Sequence, residues 1–168
     1  MRAILVLAAV LASLSASTSL AQHPRFDAKA RALDGDTLAV DFRLLGVDAF
    51  ERNQLCERAS NCWACGKAAQ DLAANALHAK TATIQLTPNS TYGRPVAVVT
   101  VDGHDLGERL IRAGLAIPET VYLRNDPARA ARYTAAFAQA KAGRAGAHAG
   151  RWLEPSRWRR SERLQCER

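Results

Sequence analysis

Apolar and polar residues alternate from residue 37 onward. Leu38, Val40, Phe42 and Leu44 fall on one side of an extended chain, with Thr37, Ala39, Asp41 and Arg43 on the other. A period of two predicts strand with one face turned to a core. The run is long enough for one strand, or for two short ones folded tightly near Asp41. Leu45, Gly46 and Val47 continue it, and Asp48 closes it. An earlier strand is predicted over 28–33, parted from this run by the turn at Asp34-Gly35. From 51 to 61 the chain is polar and reads as loop. Ala69, Leu72, Ala73, Ala76 and Leu77 then recur at helical spacing and predict a helix over 66–79. Residues 81–86 have strand character, and 88–91 read as a turn or loop. Residues 96–101, the most β-branched stretch, predict a buried strand. Asp102-Gly103 signals a hairpin turn. Leu106, Leu110 and Ala113 line a short helix that Gly114 ends. Asp126 and Pro127 open a last helix, with Tyr133 and Phe137 on its face and Gly143 at its stop. Strands, helix, strands, helix, helix predicts an α+β domain, a closed or nearly closed small barrel with helices at its side.

Composition narrows this picture. The chain has 168 residues, 48% of them hydrophobic, which suits one domain with its own core and excludes two. The first residues stand apart. Arg2 is followed by an apolar run over 3–14 and then by Ser19-Leu20-Ala21, the pattern of a secretory signal peptide cleaved after Ala21. That run is short for a bilayer span, and no later stretch is apolar enough for one. The expected organisation is a signal peptide over 1–21, a folded domain over 22–150 and a basic C-terminal tail over 151–168. The tail carries six arginines against three glutamates. A formal charge of +7 in an exported domain points to a polyanionic partner.

Export also changes how the cysteines read. An even count of four, Cys56, Cys62, Cys65 and Cys166, favours disulfides. Three pairings are open. A zinc site built on Cys62-x-x-Cys65 with Cys56 and His78 is the other reading, but the spacing matches no usual zinc pattern.

Acids are scarce in a chain this basic, yet Asp34, Asp36, Asp48 and Glu51 crowd around Arg43. Like charges so close repel, and a bound cation relieves them. Asp36 and Asp48 lie at opposite ends of the strand region, so strands that fold back would bring both carboxylates to one hard ion, calcium before magnesium. Arg43 and Arg94 lie in or beside predicted strands, and an arginine fork matches phosphate oxygens. Glu51 is a candidate general base.

Five short motifs occur in an order that resembles the staphylococcal-type thermonucleases. They are Asp34-Gly35-Asp36-Thr37, the decapeptide FRLLGVDAFE over 42–51, Tyr92-Gly93-Arg94, Gly103-His104-Asp105-Leu106 and Gly114-Leu115-Ala116. The likeness runs over about residues 28–160. It implies a five-stranded OB-type β-barrel with about three helices and a Ca2+-dependent phosphodiesterase that cuts DNA or RNA to 3′-phosphate ends. It assigns Asp36, Asp48 and the carbonyl of Ala49 to the metal. Arg43 and Arg94 would hold the scissile phosphate, Glu51 the attacking water, and Tyr92 and Tyr122 the nucleotide. It also implies a Cys56–Cys65 disulfide, with Cys62–Cys166 as an additional bridge. The expected protein is a monomer, with no membrane span after signal cleavage. Phe50 stands where the family usually has proline, His148 where it often has tryptophan, and the link from Thr37 to Arg43 is shorter than usual. A nucleic-acid-binding module that has lost activity is the alternative.

Overall fold

The computed structural model describes residues 25–167; the expected signal peptide over 1–21 lies outside them. A first hairpin pairs β1 (Ala30–Ala32) with β2 (Leu38–Val40), and the chain then breaks at Asp41 and Phe42 before β3 (Arg43–Leu44). Of the two arrangements open to the alternating run, the chain takes two short strands. Gly46, with a left-handed backbone, turns it into β4 (Val47–Ala49). Residues 51–61, expected to be loop, instead contain most of a second hairpin, β5 (Cys56–Arg58) with β6 (Asn61–Trp63). Its cysteines explain the difference: both of its strands carry half of a disulfide, which fixes short polar strands that apolar patterning does not reveal.

Helix α1 (Cys65–Leu77) follows, then β7 (Ala82–Thr91) and β8 (Arg94–Val101). The 88–91 segment is not a loop. It continues β7 past a bulge between Leu86 and Ser90, and the reversal comes at Tyr92-Gly93. A bulge takes up the irregularity that proline brings to a ladder. Asp102-Gly103 turns β8 into β9 (His104–Asp105), and α2 (Leu106–Arg112) starts at once. Strand β10 (Ala116–Pro118) pairs with β4, and α3 (Pro127–Ala142) starts on its Asp126 cap, which accepts from the Arg129 N–H. The stretch after 150, expected to be a tail, is folded onto the body. Arg151 exchanges backbone hydrogen bonds with Glu57 at 2.8 and 3.0 Å, and a short helix α4 (Pro155–Arg159) leads to Cys166.

The domain is mixed α+β, as expected, but the described strands do not close into a barrel. They form four separate sheets: β1–β2, β4–β10, β5–β6, and β3–β8–β7 with β9 on β8. The first hairpin is the piece that stands apart. Its strands have three residues each, β1 is wholly exposed, and Leu33 and Leu38 at its turn are exposed too. Small alanine faces bury little surface to draw the hairpin onto the sheet. It is held by one backbone bond, Lys29 N–H to the Gly93 carbonyl at 2.8 Å, and by Phe26 against Phe42.

The main core lies between β8 and helices α1, α2 and α3, with Val101, Leu110, Ile111, Leu123 and Tyr133 at its centre. Asp105 locks two of those helices together. It caps α2 through the Glu108 N–H at 3.1 Å, accepts from the Tyr133 hydroxyl of α3 at 2.8 Å, and pairs with Arg129. Burial and the Asp105 charge together push the Tyr133 phenol well above its ordinary range. A second, smaller core holds Phe50, the Cys56–Cys65 bridge and Ala147, with Trp63 and Trp152 against it.

Candidate active site

Strand β4 sets the site. Its partner β10 is bonded on one side only, through Gly46 with Glu119 and Phe50 with Leu115. Antiparallel alternation then turns the Ala49 carbonyl to the unpaired edge of β4. Asp48 projects beside it and is largely buried, with 15% of its side chain exposed.

Phe50 and Gln54 hold the loop that carries Glu51. Phe50 is buried and meets Trp152 edge to face, with ring centroids 5.6 Å apart. Where a proline would fix the loop through its backbone, here an aromatic anchor does so through packing. Gln54 is fully buried. Its side-chain carbonyl accepts from the Glu51 N–H at 3.1 Å, and its amide donates to the Leu153 carbonyl at 2.9 Å. One glutamine thus joins the Glu51 loop to the C-terminal arm.

Asp48 and Glu51 converge on a single cation, the guanidinium of Arg159 from α4. Nη1 of Arg159 lies 2.9 Å from Asp48 Oδ1 and 2.8 Å from Glu51 Oε1, and Nη2 lies 3.0 Å from Asp48 Oδ2. This is a parallel fork on Asp48 with a third bond to Glu51. The hydrogen bond to Asp48, and after it that to Glu51, raise the guanidinium pKa above its already high value, against the opposing effect of burial.

A cleft of about 600 Å3 opens beside this cluster, bordered by Arg43, Asp48, Tyr92, Glu119, Tyr122 and Arg159. Arg43, paired on β3 with Val96 of β8, donates to Thr91 Oγ1 at the end of β7 at 3.4 Å. Tyr92 and Tyr122 are 85% and 68% exposed, two aromatic faces free at the cleft mouth. Glu119 is a third acid. Its pKa is raised by burial first, and then by the charges of Asp48 and Glu154.

The structure therefore brings Arg43, Asp48, Tyr92 and Tyr122 to one cleft and places Glu51 against Asp48 through Arg159. It does not bring Asp36 there. Asp36 stays in the exposed turn of the first hairpin, where its backbone N–H bonds to Asp34 and its carboxylate accepts from the Thr37 hydroxyl at 3.3 Å. No group of three metal-ligating side chains forms among the described residues. Arg94 begins β8 and is half-buried, but it is not among the residues that border the cleft. Both expected disulfides are present: Cys56–Cys65, and Cys62–Cys166 across 104 positions.

Residues 41–148 match the sequence family described as staphylococcal nuclease homologue. The chain belongs to that family. No curated protein matches it. The span of the staphylococcal nuclease match includes Arg43, Asp48, Glu51, Tyr92, Arg94 and Tyr122, and it begins after Asp36 and ends before Arg159. Asp36 and Arg159 thus lie outside the matched family region, while Arg94 and Glu119, the other departures from the sequence reading, lie within it. Glu119 and Arg159 escape sequence reasoning for different reasons. Glu119 belongs to no motif. Arg159 is one of six arginines in a stretch that reads as solvated, and only Cys166 hints that this stretch is pinned to the body.

Proposed function

We propose that the protein is an exported phosphodiesterase that hydrolyses DNA or RNA with the help of Ca2+, leaving 3′-phosphate ends. The observation that carries this reading is the convergence of Asp48 and Glu51 on one cationic atom, in a cleft bordered by Arg43, in a chain of a nuclease family. The donor set suits a hard divalent ion. Asp48 and the Ala49 carbonyl would supply oxygens, Glu51 stands beside them for a water, and calcium accepts water for the remainder of its six to eight ligands. Asp36, assigned to the metal by resemblance, would join them only if the first hairpin folded over the cleft. The bound ion would supply positive charge against the charge that develops on the phosphoryl oxygens.

The chain's own residues divide the remaining work. Arg43 presents its fork to the scissile phosphate from the floor of the cleft, and Arg94 is proposed to join it. Glu51, whose backbone Gln54 fixes, orients a water and takes its proton. Tyr92 and Tyr122 offer faces on which bases stack, a contact that tolerates any sequence. The OB-type barrel is read as open here, with the first hairpin as its missing wall. Two disulfides and the signal-like start of the chain support a periplasmic or secreted location.

A second reading has a specific observation behind it. Asp36 lies apart, and Arg159 already neutralises Asp48 and Glu51, as expected of a nucleic-acid-binding protein that no longer cuts. One assay separates the two. The oxidised protein should degrade single-stranded DNA or RNA with Ca2+ and stop in a chelator, and Arg43→Ala or Glu51→Gln should lose most of that activity while staying folded. Binding without cleavage under every condition would establish the second reading.

A further inference from the structure

We infer that Arg159 is the resident cation of the Asp48–Glu51 pair and sets how tightly a divalent ion binds there. This rests on the proposed metal reading and adds to it a residue outside the matched family region.

Three features carry it. The first is identity of contact: Arg159 engages both Asp48 oxygens, which a metal ion would need, and Glu51 Oε1 beside them. Guanidinium and ion cannot share them, so the ion binds only the fraction of molecules in which Arg159 has swung away, and its apparent affinity falls by that fraction. The second is geometry. Arginine matches a carboxylate with two parallel bonds, which an ammonium group cannot do, so the contact is specific to this side chain.

The third is the way the arm is held. It is fixed on both sides of Arg159. Before it, Arg151 is paired with Glu57, and Leu153 is held by the Gln54 side chain that also holds the Glu51 backbone. After it, Cys166 is bonded to Cys62. Tethering at both ends gives the guanidinium a high effective concentration at the carboxylates. Yet 42% of the Arg159 side chain is exposed, so it can rotate into solvent without disturbing the core. The tether keeps the competitor close, and the exposure lets an ion displace it.

Calorimetric titration of the oxidised protein with Ca2+ tests this directly, without reference to catalysis. Arg159→Ala should bind Ca2+ about tenfold more tightly than the unaltered protein. Loss of a positive charge alone also favours a cation, so Arg160→Ala serves as the control: it removes the same charge one position on and should change affinity less than twofold. Arg159→Lys should fall between the unaltered protein and Arg159→Ala. The Cys62→Ser/Cys166→Ser double variant keeps every charge and only loosens the arm, and it should also bind more tightly. Circular dichroism confirms that each variant is folded. Equal binding by the unaltered protein and Arg159→Ala, or an equal gain in Arg160→Ala, overturns the inference and leaves the metal reading standing. No binding at millimolar Ca2+ in either the unaltered protein or Arg159→Ala overturns both.

Discussion

Gly66 lies directly on the carbonyl of Glu51. A Cβ built at Gly66 would come within 1.6 Å of that oxygen, and the Gly66 N–H is bonded to the Gln54 carbonyl at 3.0 Å. The first turn of α1 and the Glu51 loop therefore touch backbone to backbone. No side chain is small enough to enter, so Gly66→Ala must push the loop away. On the proposed phosphodiesterase reading, the expected outcome is a loss of roughly a hundredfold in rate, since displacements of about 1 Å at a catalytic group can have that effect. The check is single-turnover cleavage by Gly66→Ala beside its melting curve.

Gln54→Ala removes both arms of the link between the Glu51 N–H and the Leu153 carbonyl. It leaves a part-buried donor and a part-buried acceptor without these partners, at about 1–2 kcal/mol each. The expected destabilisation is about 2–4 kcal/mol, measured by urea unfolding. Gln54→Glu puts a carboxylate in a fully buried position facing the Leu153 carbonyl and should be destabilised at least as much at neutral pH.

Cys166→Ser opens a loop of 104 positions. On the chain-entropy account the bridge contributes about 4–5 kcal/mol, against about 2.5–3 kcal/mol for the nine-position Cys56–Cys65 loop. Thermal unfolding of Cys166→Ser should therefore fall below that of the oxidised protein by ten degrees or more.

His148 makes stability depend on pH. The ring is packed between Phe137 and Trp152, at centroid distances of 5.0 and 5.3 Å, and its Nε2 has no hydrogen-bond partner. Burial first, and the Lys141 charge after it, lower its pKa in the folded state. The unfolded chain then binds this proton more readily. The folded state is favoured by the full amount above the ordinary imidazole range, and that advantage is lost as pH falls through this range to the depressed folded value. Melting temperature should drop from about pH 7.5 to pH 5.5, and His148→Phe should flatten that part of the curve.

Tyr133→Phe tests the Asp105 node. The hydroxyl donates to Asp105 at 2.8 Å in a buried position, and Arg129 and the Glu108 N–H remain on that carboxylate after the change. The expected destabilisation is about 1 kcal/mol, read by denaturant midpoint. Asp105→Ala loses the cap, the ion pair and the hydroxyl acceptor together and should lose several times more.

Much of this organisation was legible in the chain. The spacing of Ala69, Leu72 and Ala76 places α1 to within two residues, and Asp126-Pro127 starts α3 where capping chemistry demands. The β-branched run ending at Val101 is the central strand, and Asp102-Gly103 is its turn. What escaped was set by contacts distant in sequence. The β5–β6 hairpin owes its order to two disulfides rather than to apolar alternation. The barrel did not close: the first hairpin forms a sheet of its own, and its Leu33 and Leu38 stay exposed. At the site, Arg43, Asp48 and Glu51 were readable as a local crowd. The partner that crowd chose, Arg159, lies 108 positions from Glu51, and no local pattern announces a pairing of that range.

The long bridge also has a consequence for the order of assembly. Cys62 lies before α1 and Cys166 beyond α4, so the core helices and strands β7 to β9 lie between the two partners. Contacts so distant in sequence form after the local ones. On that account the carboxylate pair, three positions apart, would be assembled before its arginine, which reaches it only when the arm docks. A molecule caught before that step would carry an uncovered acidic site on a nearly finished domain. Oxidation would then be the last stage of folding and the moment at which the site acquires its counter-charge.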